Sequence, residues 1–219
     1  MEQKLDSHRI QAVPKGMLKY IPNIKVKHGK YTVEDIIREC KYKLENKIET
    51  HSNPVYLVTH KKKKLIVKEI EIFDKKEFVS DTLISDGFRE VLFSYYFYDQ
   101  GLSPKVHKSI YVPETNKIYL VITRWDTDIY EYVQNHKTKD TREIQKKVIG
   151  IVKKMVFGHN IMCMDNHLGN FVINRQTKKV AVIDFGHFCS MTKESSKKKV
   201  FEESKKAIKK QFDELRGRG

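Results

Sequence analysis

Three polar side chains late in the chain have the types and spacing for demanding chemistry. Asp165 and Asn170 bound the segment Asp165-Asn166-His167-Leu168-Gly169-Asn170, and Asp184 opens Asp184-Phe185-Gly186. Phosphoryl transfer needs such a set. One carboxylate orients an accepting hydroxyl and takes its proton. A carboxamide oxygen and a second carboxylate hold the divalent ions that neutralise a triphosphate. The runs Phe171-Val172-Ile173 and Val180-Ala181-Val182-Ile183 read as short strands that would hold these groups on a rigid scaffold.

The elements upstream follow from period and breakers. Residues 1–30 show no clean period and contain Pro14, Gly16 and Pro22, which predicts an irregular arm. Thr32 reads as an N-cap, with Glu34 and Asp35 in the first turn and Ile36, Ile37, Cys40 and Leu44 at helical spacing. Val55 to Val58 and a strand beginning Leu65-Ile66-Val67 predict an antiparallel hairpin whose charged turn is Lys61 to Lys64. Phe88 to Tyr98 is aromatic-rich yet carries Glu90, Leu92, Phe93 and Phe97 at helix-compatible steps. A second hairpin is expected from Ile110 to Thr123. A helix is expected after Asp140, with the apolar stripe Ile144, Val148, Ile151, Val152, Met155 and Val156. The lysine-rich tail carries a helical stripe of its own at Phe201, Ile208, Phe212 and Leu215.

In this order the elements resemble the protein-kinase-like superfamily. Asp165 and Asn170 match the H-R-D-x-x-x-x-N pattern, Asp184-Phe185-Gly186 matches D-F-G, and Ile66-Val67-Lys68 matches the V-A-I-K strand. The resemblance implies an α+β, two-lobed kinase-like fold with ATP and Mg2+ (or Mn2+) as cofactors, the nucleotide lying between the lobes. Lys68 would grip the α- and β-phosphates and pair with Glu90, with Glu71 and Glu77 as alternatives. Asp165 would position the acceptor, while Asn170 and Asp184 would bind metal. Val55, Ile66, Thr123 and Trp125 would line the nucleotide site, since Ile118 to Trp125 resembles the strand entering the adenine-binding hinge. The implied division is an arm and helix over 1–47, an N-lobe with hinge over 48–125, and a minimal C-lobe with basic tail over 126–219.

The departures from the pattern are informative. The phosphate-covering loop should lie at Thr50-His51-Ser52-Asn53-Pro54-Val55-Tyr56, which contains no glycine. Glycines there let backbone N–H groups approach phosphates closely, and Pro54 removes one donor. Cys163 and Met164 replace the His and Arg of H-R-D, so a loop phosphate has no familiar docking charge. The loop resembles that of atypical and small-molecule kinases. No A-P-E motif follows Gly186, and the remaining chain is too short for the family's helical substrate-binding subdomain. The expectation is a truncated helical C-lobe, as in minimal bacterial effector kinases or reduced viral kinases. It carries with it a cytoplasmic protein delivered into, or expressed in, a host cell. The implied reaction moves the ATP γ-phosphoryl group to a protein Ser, Thr or Tyr hydroxyl. A small-molecule kinase and a non-catalytic pseudokinase module are the competing readings.

Composition sets outer bounds. In 219 residues, 39% hydrophobic content suffices for a core and argues against wholesale disorder. No apolar run is long enough to span a membrane, and the N-terminus does not resemble a signal peptide. Cys40, Cys163 and Cys189 have no paired spacing, which favours a reducing compartment. Lys plus Arg is 43 against 28 Asp plus Glu, a net charge of +15. Such a surface suits an acidic protein or another anionic surface docking on a basic face, expected on the tail helix. No motif for sequence-specific nucleic-acid recognition is present, so none is expected.

Overall fold

The structure is a computed structural model and describes residues 10–48, 53–72, 83–136, 138–191 and 196–217. The chain forms two compact units. One is Met1–Asp99 with Pro104–Arg124, and the other is Gln100–Ser103 with Trp125–Gly219.

The first unit contains β1 (Ile10–Ala12), β2 (Ile24–Val26), α1 (Val33–Glu39), β3 (Lys43–Ile48), β4 (Val55–His60), β5 (Lys63–Glu71), β6 (Leu83–Ser85), α2 (Asp86–Asp99), β7 (Val106–Val112) and β8 (Lys117–Thr123). Six strands form one sheet in the order β2-β7-β8-β5-β4-β3, antiparallel except where β2 joins β7. Alternation along the strands gives this sheet two distinct faces. Tyr56, Val58, Leu65, Val67, Tyr119 and Val121 point to one face and form a core with Val33, Ile36 and Ile37 of α1. Each such apolar side chain contributes about 1.5–3 kcal/mol on burial. Thr32 caps α1: its hydroxyl accepts from the Asp35 N–H while the Asp35 carboxylate accepts from the Thr32 N–H. That backbone N–H, with the Thr32 hydroxyl second, holds the Asp35 carboxyl below its usual pKa.

Two local readings are corrected. Leu44 does not extend α1. The helix stops at Cys40, Lys41 turns with φ 54°, and Leu44 sits on β3 opposite Val58. Nor do residues 10–26 form an irregular arm; residues 1–9 of that expectation lie outside the described residues. β1 pairs with β6, a 3-10 helix spans Lys15–Asn23, and β2 extends the sheet. Its prolines break the α and β periods but suit a 3-10 turn, where the Pro14 carbonyl accepts from the Met17 N–H. Met17, Tyr20 and Ile24 are buried. Tyr20 stacks on Tyr95 and donates to Asp99 at 2.5 Å, which ties this segment to α2.

The second unit contains β9 (Thr127–Asp128), α3 (Ile129–Gln134), α4 (Thr138–Lys153), β10 (Ile161–Cys163), β11 (Phe171–Asn174), β12 (Lys179–Val182), β13 (Phe188–Ser190) and α5 (Lys197–Arg216). A π-helical turn, Lys154–Gly158, continues α4. Here β11 pairs with both β12 and β9, and β10 pairs with β13. The α4 stripe from Ile144 to Val156 is buried. So is the α5 stripe of Phe201, Ile208, Phe212 and Leu215, which packs this helix onto α4 and α3. Arg216 closes the contact by donating to Thr141 Oγ1 at 3.1 Å and Gln145 Oε1 at 3.2 Å. His159 ends the π turn; burial first, and Lys154 second, push its pKa down.

Candidate active site

In the first unit, β5 carries Lys68 and α2 carries Glu90, and the lysine Nζ lies 2.6 Å from Glu90 Oε1. The side chains are 13% and 5% exposed, so the pair is largely withdrawn from water. Sequence neighbours explain the burial. Val67 and Val91 beside them are fully buried, and α2 is locked by the Phe93–Phe97 stack. Glu71, the alternative partner, is exposed on β5, and Glu77 lies outside the described residues.

The register decides which nucleotide candidates can join Lys68. Val55 lies opposite Lys68, Leu57 opposite Ile66, Ile66 opposite Ile122 and Lys68 opposite Leu120. Directly paired side chains share a face. Val55 and Ile66 therefore stand with Lys68 on an apolar shelf completed by Leu57, Leu120 and Ile122, on the face away from α1. Thr123 pairs with Leu65 and so points to the other face, where its hydroxyl meets His107 Nε2 at 2.8 Å. The three shelf residues missed in the sequence were legible through alternation once the register was known. Trp125 begins the second unit and is half-buried. Of the expected phosphate loop, residues 50–52 lie outside the described residues. Asn53 and Pro54 are tied to β5 through Asn53 Oδ1 with the Glu71 N–H and Pro54 O with the Glu69 N–H.

In the second unit the segment from Asp165 to Asn170 is wound around its own backbone. The Asp165 carbonyl accepts from Cys163 Sγ at 2.9 Å and from Asn170 Nδ2 at 3.0 Å. The Asp165 carboxylate is left exposed, with no hydrogen bond or ion pair among the described residues. Burial pushes the Cys163 thiol up to about 12, so it is a neutral donor and not a nucleophile. His167 Nδ1 accepts from the Gly169 N–H at 3.0 Å, and its ring stacks on Tyr130. A Cβ at Gly169 would come within 2.9 Å of His167 Nδ1, so only glycine admits this closure.

Asn170 and Asp184 are brought to the same end of a hairpin. Phe171 pairs with Val182, and one step outward the Ile183 N–H donates to the Asn170 carbonyl at 2.8 Å. Asp184 follows at φ 58°, a left-handed conformation that Asp tolerates better than most residues. With Asn170 Nδ2 committed to Asp165, Oδ1 is the amide end free to face a cation. No group of three His, Cys, Asp or Glu side chains able to hold a metal occurs among the described residues. One amide oxygen and one carboxylate instead suit Mg2+, which keeps waters and shares phosphate oxygens. The donor set therefore fits a nucleotide-borne ion.

The tail helix holds this loop. Gln211 Oε1 accepts from the Leu168 N–H at 3.0 Å, and Gln211 Nε2 donates to the Asn166 carbonyl at 2.7 Å. Ser204 Oγ accepts from Asn166 Nδ2 at 3.0 Å. Nothing in the sequence separated Gln211 and Ser204 from the other polar positions of α5. A groove of about 420 Å³ runs beside the loop, lined by Met164, Asp165 and His167 and by Val200, Glu203 and Ala207 of α5.

Residues 103–216, more than half of the chain, match the ABC1 atypical kinase-like domain. Among solved structures, the chain is similar to the kinase PK-1 of Cydia pomonella granulovirus, with a TM-score of 0.53 and 17% sequence identity. The likeness covers 72% of this chain and 58% of that one, so the chain spans little more than half of the viral kinase's length. No curated protein matches by sequence. The α+β fold is kinase-like, and no helix among the described residues is long and apolar enough to cross a membrane.

Proposed function

The chain belongs to the ABC1 atypical kinase-like family, and from that premise we propose that it is an ATP-dependent phosphotransferase whose acceptor is a protein Ser, Thr or Tyr hydroxyl. The observation that carries this reading is the Lys68–Glu90 pair at 2.6 Å, because a lysine held on a sheet face by a buried carboxylate is positioned to meet phosphate. Val55 and Ile66 would pack the adenine beside it. Asn170 Oδ1 and Asp184 would hold the metal, which neutralises triphosphate charge when bound. The Asp165 carboxylate would orient the acceptor hydroxyl and receive its proton. The adjoining groove offers room for the segment that bears that hydroxyl.

The test is incubation with γ-labelled ATP and Mg2+ or Mn2+, on general protein substrates and on small alcohols. Asp184→Ala is expected to lower transfer by roughly a hundredfold or more, since a metal carboxylate is lost. Equal turnover in the wild type and in a folded Asp184→Ala variant would sink the assignment. Label moving only to small alcohols would move the acceptor class to small molecules.

One observation favours a second reading, a nucleotide-binding module without turnover: Thr50 to Tyr56 contains no glycine. ATP binding that Lys68→Met abolishes, with no transfer to any acceptor, would select it.

A further inference from the structure

The excess positive charge of this chain is not spread evenly. On α5, acids one turn away compensate much of it: Lys199 faces Glu203, Lys205 meets Glu202, and Lys210 faces Glu214. At one end of the six-stranded sheet there is no such compensation. Lys41 precedes β3, Lys43 begins it, Lys61 to Lys64 form the β4–β5 turn and its flank, and Lys105 precedes β7. All are exposed, and none forms an ion pair among the described residues. Contacts gather them at one end. Lys43 lies opposite Thr59, and Thr59 opposite Lys64. The Lys41 carbonyl meets His60 Nδ1 at 3.2 Å, and the Lys105 carbonyl accepts from the Thr123 N–H at 2.8 Å. Burial, then Lys105 and Lys63, hold the His107 pKa below its usual value, which places both lysines near that ring. The nearest acid by register is Glu45, at the bulge of β3.

The backbone adds a second observation. His60 pairs with Lys63, so Lys61 and Lys62 are the two central residues of a tight hairpin turn, with φ 47° and 66°. Such a turn favours Asn-Gly, because both positions are left-handed. Lys41 is left-handed as well, at φ 54°. Three of the lysines therefore occupy positions where lysine is a poor backbone choice, and strain of this kind directs attention to what the side chains do.

We propose that this lysine cluster is a docking surface for the phosphate backbone of a nucleic acid, bound without regard to sequence. The strand ends from β3 to β7 extend about 19 Å, enough to meet several phosphates. Lysine acts there as a point charge, as phosphate neutralisation requires. Protein interfaces are depleted of lysine and anchored by aromatic residues or arginine. A membrane-docked basic patch needs a second signal such as an apolar anchor, and Leu44 is the one large apolar side chain exposed beside the cluster among the described residues. The chain's charge of +15 and pI of 9.5 fit the electrostatic footprint of a nucleic-acid binder. This inference stands apart from the phosphotransferase reading.

The test uses the full chain and a labelled DNA duplex of about 20 base pairs, read by fluorescence anisotropy over rising salt. The sheet-end variant combines Lys41→Asn, Lys61→Asn and Lys62→Gly, which suit the left-handed positions, with Lys64→Gln on β5. The control changes charge equally on α5, with Lys198, Lys199, Lys206 and Lys209 each replaced by Gln. Wild type is expected to bind with a steep salt dependence. The sheet-end variant should lose about 3–4 units of the log–log salt slope while melting no lower than wild type. The α5 variant should keep its slope. An equal loss in the α5 variant, or no loss in the sheet-end variant, overturns the proposal. So does capture of phosphatidylserine vesicles or polyglutamate through the same lysines with no duplex binding.

Discussion

The Lys68–Glu90 pair and the segment from Asp165 to Asn170 are held in opposite ways. The pair joins two regular elements, and its side chains are directed by strand alternation and helix phase among fully buried valines. The loop has almost no regular structure of its own. Its carboxylate is exposed, and its shape rests on hydrogen bonds to the Asp165, Asn166 and Leu168 backbone from Cys163, Asn170 and Gln211. A buried ion pair is held by desolvated charge, so removing one member is costly. A loop closed by many single bonds loses each in small steps, typically about 1 kcal/mol. The contrast suits the proposed roles: a fixed phosphate anchor, and a carboxylate that must stay open to an incoming hydroxyl.

The sharpest way to break this contrast is Lys68→Met. Taking the amine from a carboxylate that is only 5% exposed should lower stability by roughly 3 kcal/mol. That corresponds to a melting decrease of about 6–12 °C for a chain of this size. Adding Glu90→Leu should restore more than half of the loss, because an apolar pair of similar volume tolerates burial. Calorimetry on the three proteins decides. If Lys68→Met melts like wild type, the pair contributes no net stability and the contrast with the loop fails.

The two regions also differ in how far the sequence disclosed them. Lys68 and Glu90 could be paired because Lys68 sat in the strand run Leu65 to Ile70 and Glu90 at helix-compatible steps in Phe88 to Tyr98, despite the strand propensity of its aromatic residues, within a recognisable order of motifs. Thr123 was misjudged by a single step of that period: one residue along a strand exchanges faces, and it fell with Leu65 instead of Lys68. Residues 10–26 were misread because proline and glycine conceal a 3-10 helix as well as they mark a loop. In the loop, the chemistry-bearing types were legible but their supports were not. Gln211 lies 43 residues from Leu168, and no local pattern encodes a bond of that range.

The tail helix is the second place to press. Phe212 is fully buried, and Arg216 lies over its ring at 5.2 Å. Phe212→Ala should therefore lower stability by about 3 kcal/mol through lost burial and the cavity left behind. The loop depends on α5 for two of its clamps, so activity should fall with the fold as temperature rises. Thermal melts alongside transfer rates measure both. A variant that melts like wild type means the helix is not part of the core, and the supports assigned to it fail together.

The smallest effect is the most specific. Gln211 contributes little area, but its amide bridges the Leu168 N–H and the Asn166 carbonyl on either side of His167. Gln211→Ala removes both bonds, at a stability cost of about 1–2 kcal/mol. On the proposed phosphotransferase reading, its signature is kinetic. The loop should sample other shapes, so kcat should drop about tenfold, worth 1.4 kcal/mol of barrier, while KM for ATP stays the same. Gln211→Glu provides the internal check. Its carboxylate can still accept from Leu168, but it faces the Asn166 carbonyl with an acceptor in place of a donor. It should therefore retain an intermediate rate. Steady-state kinetics at a temperature well below both melting transitions separates positioning from folding. If both variants turn over like wild type, Cys163, Asn170 and Ser204 suffice to shape the loop, and Gln211 does not position it.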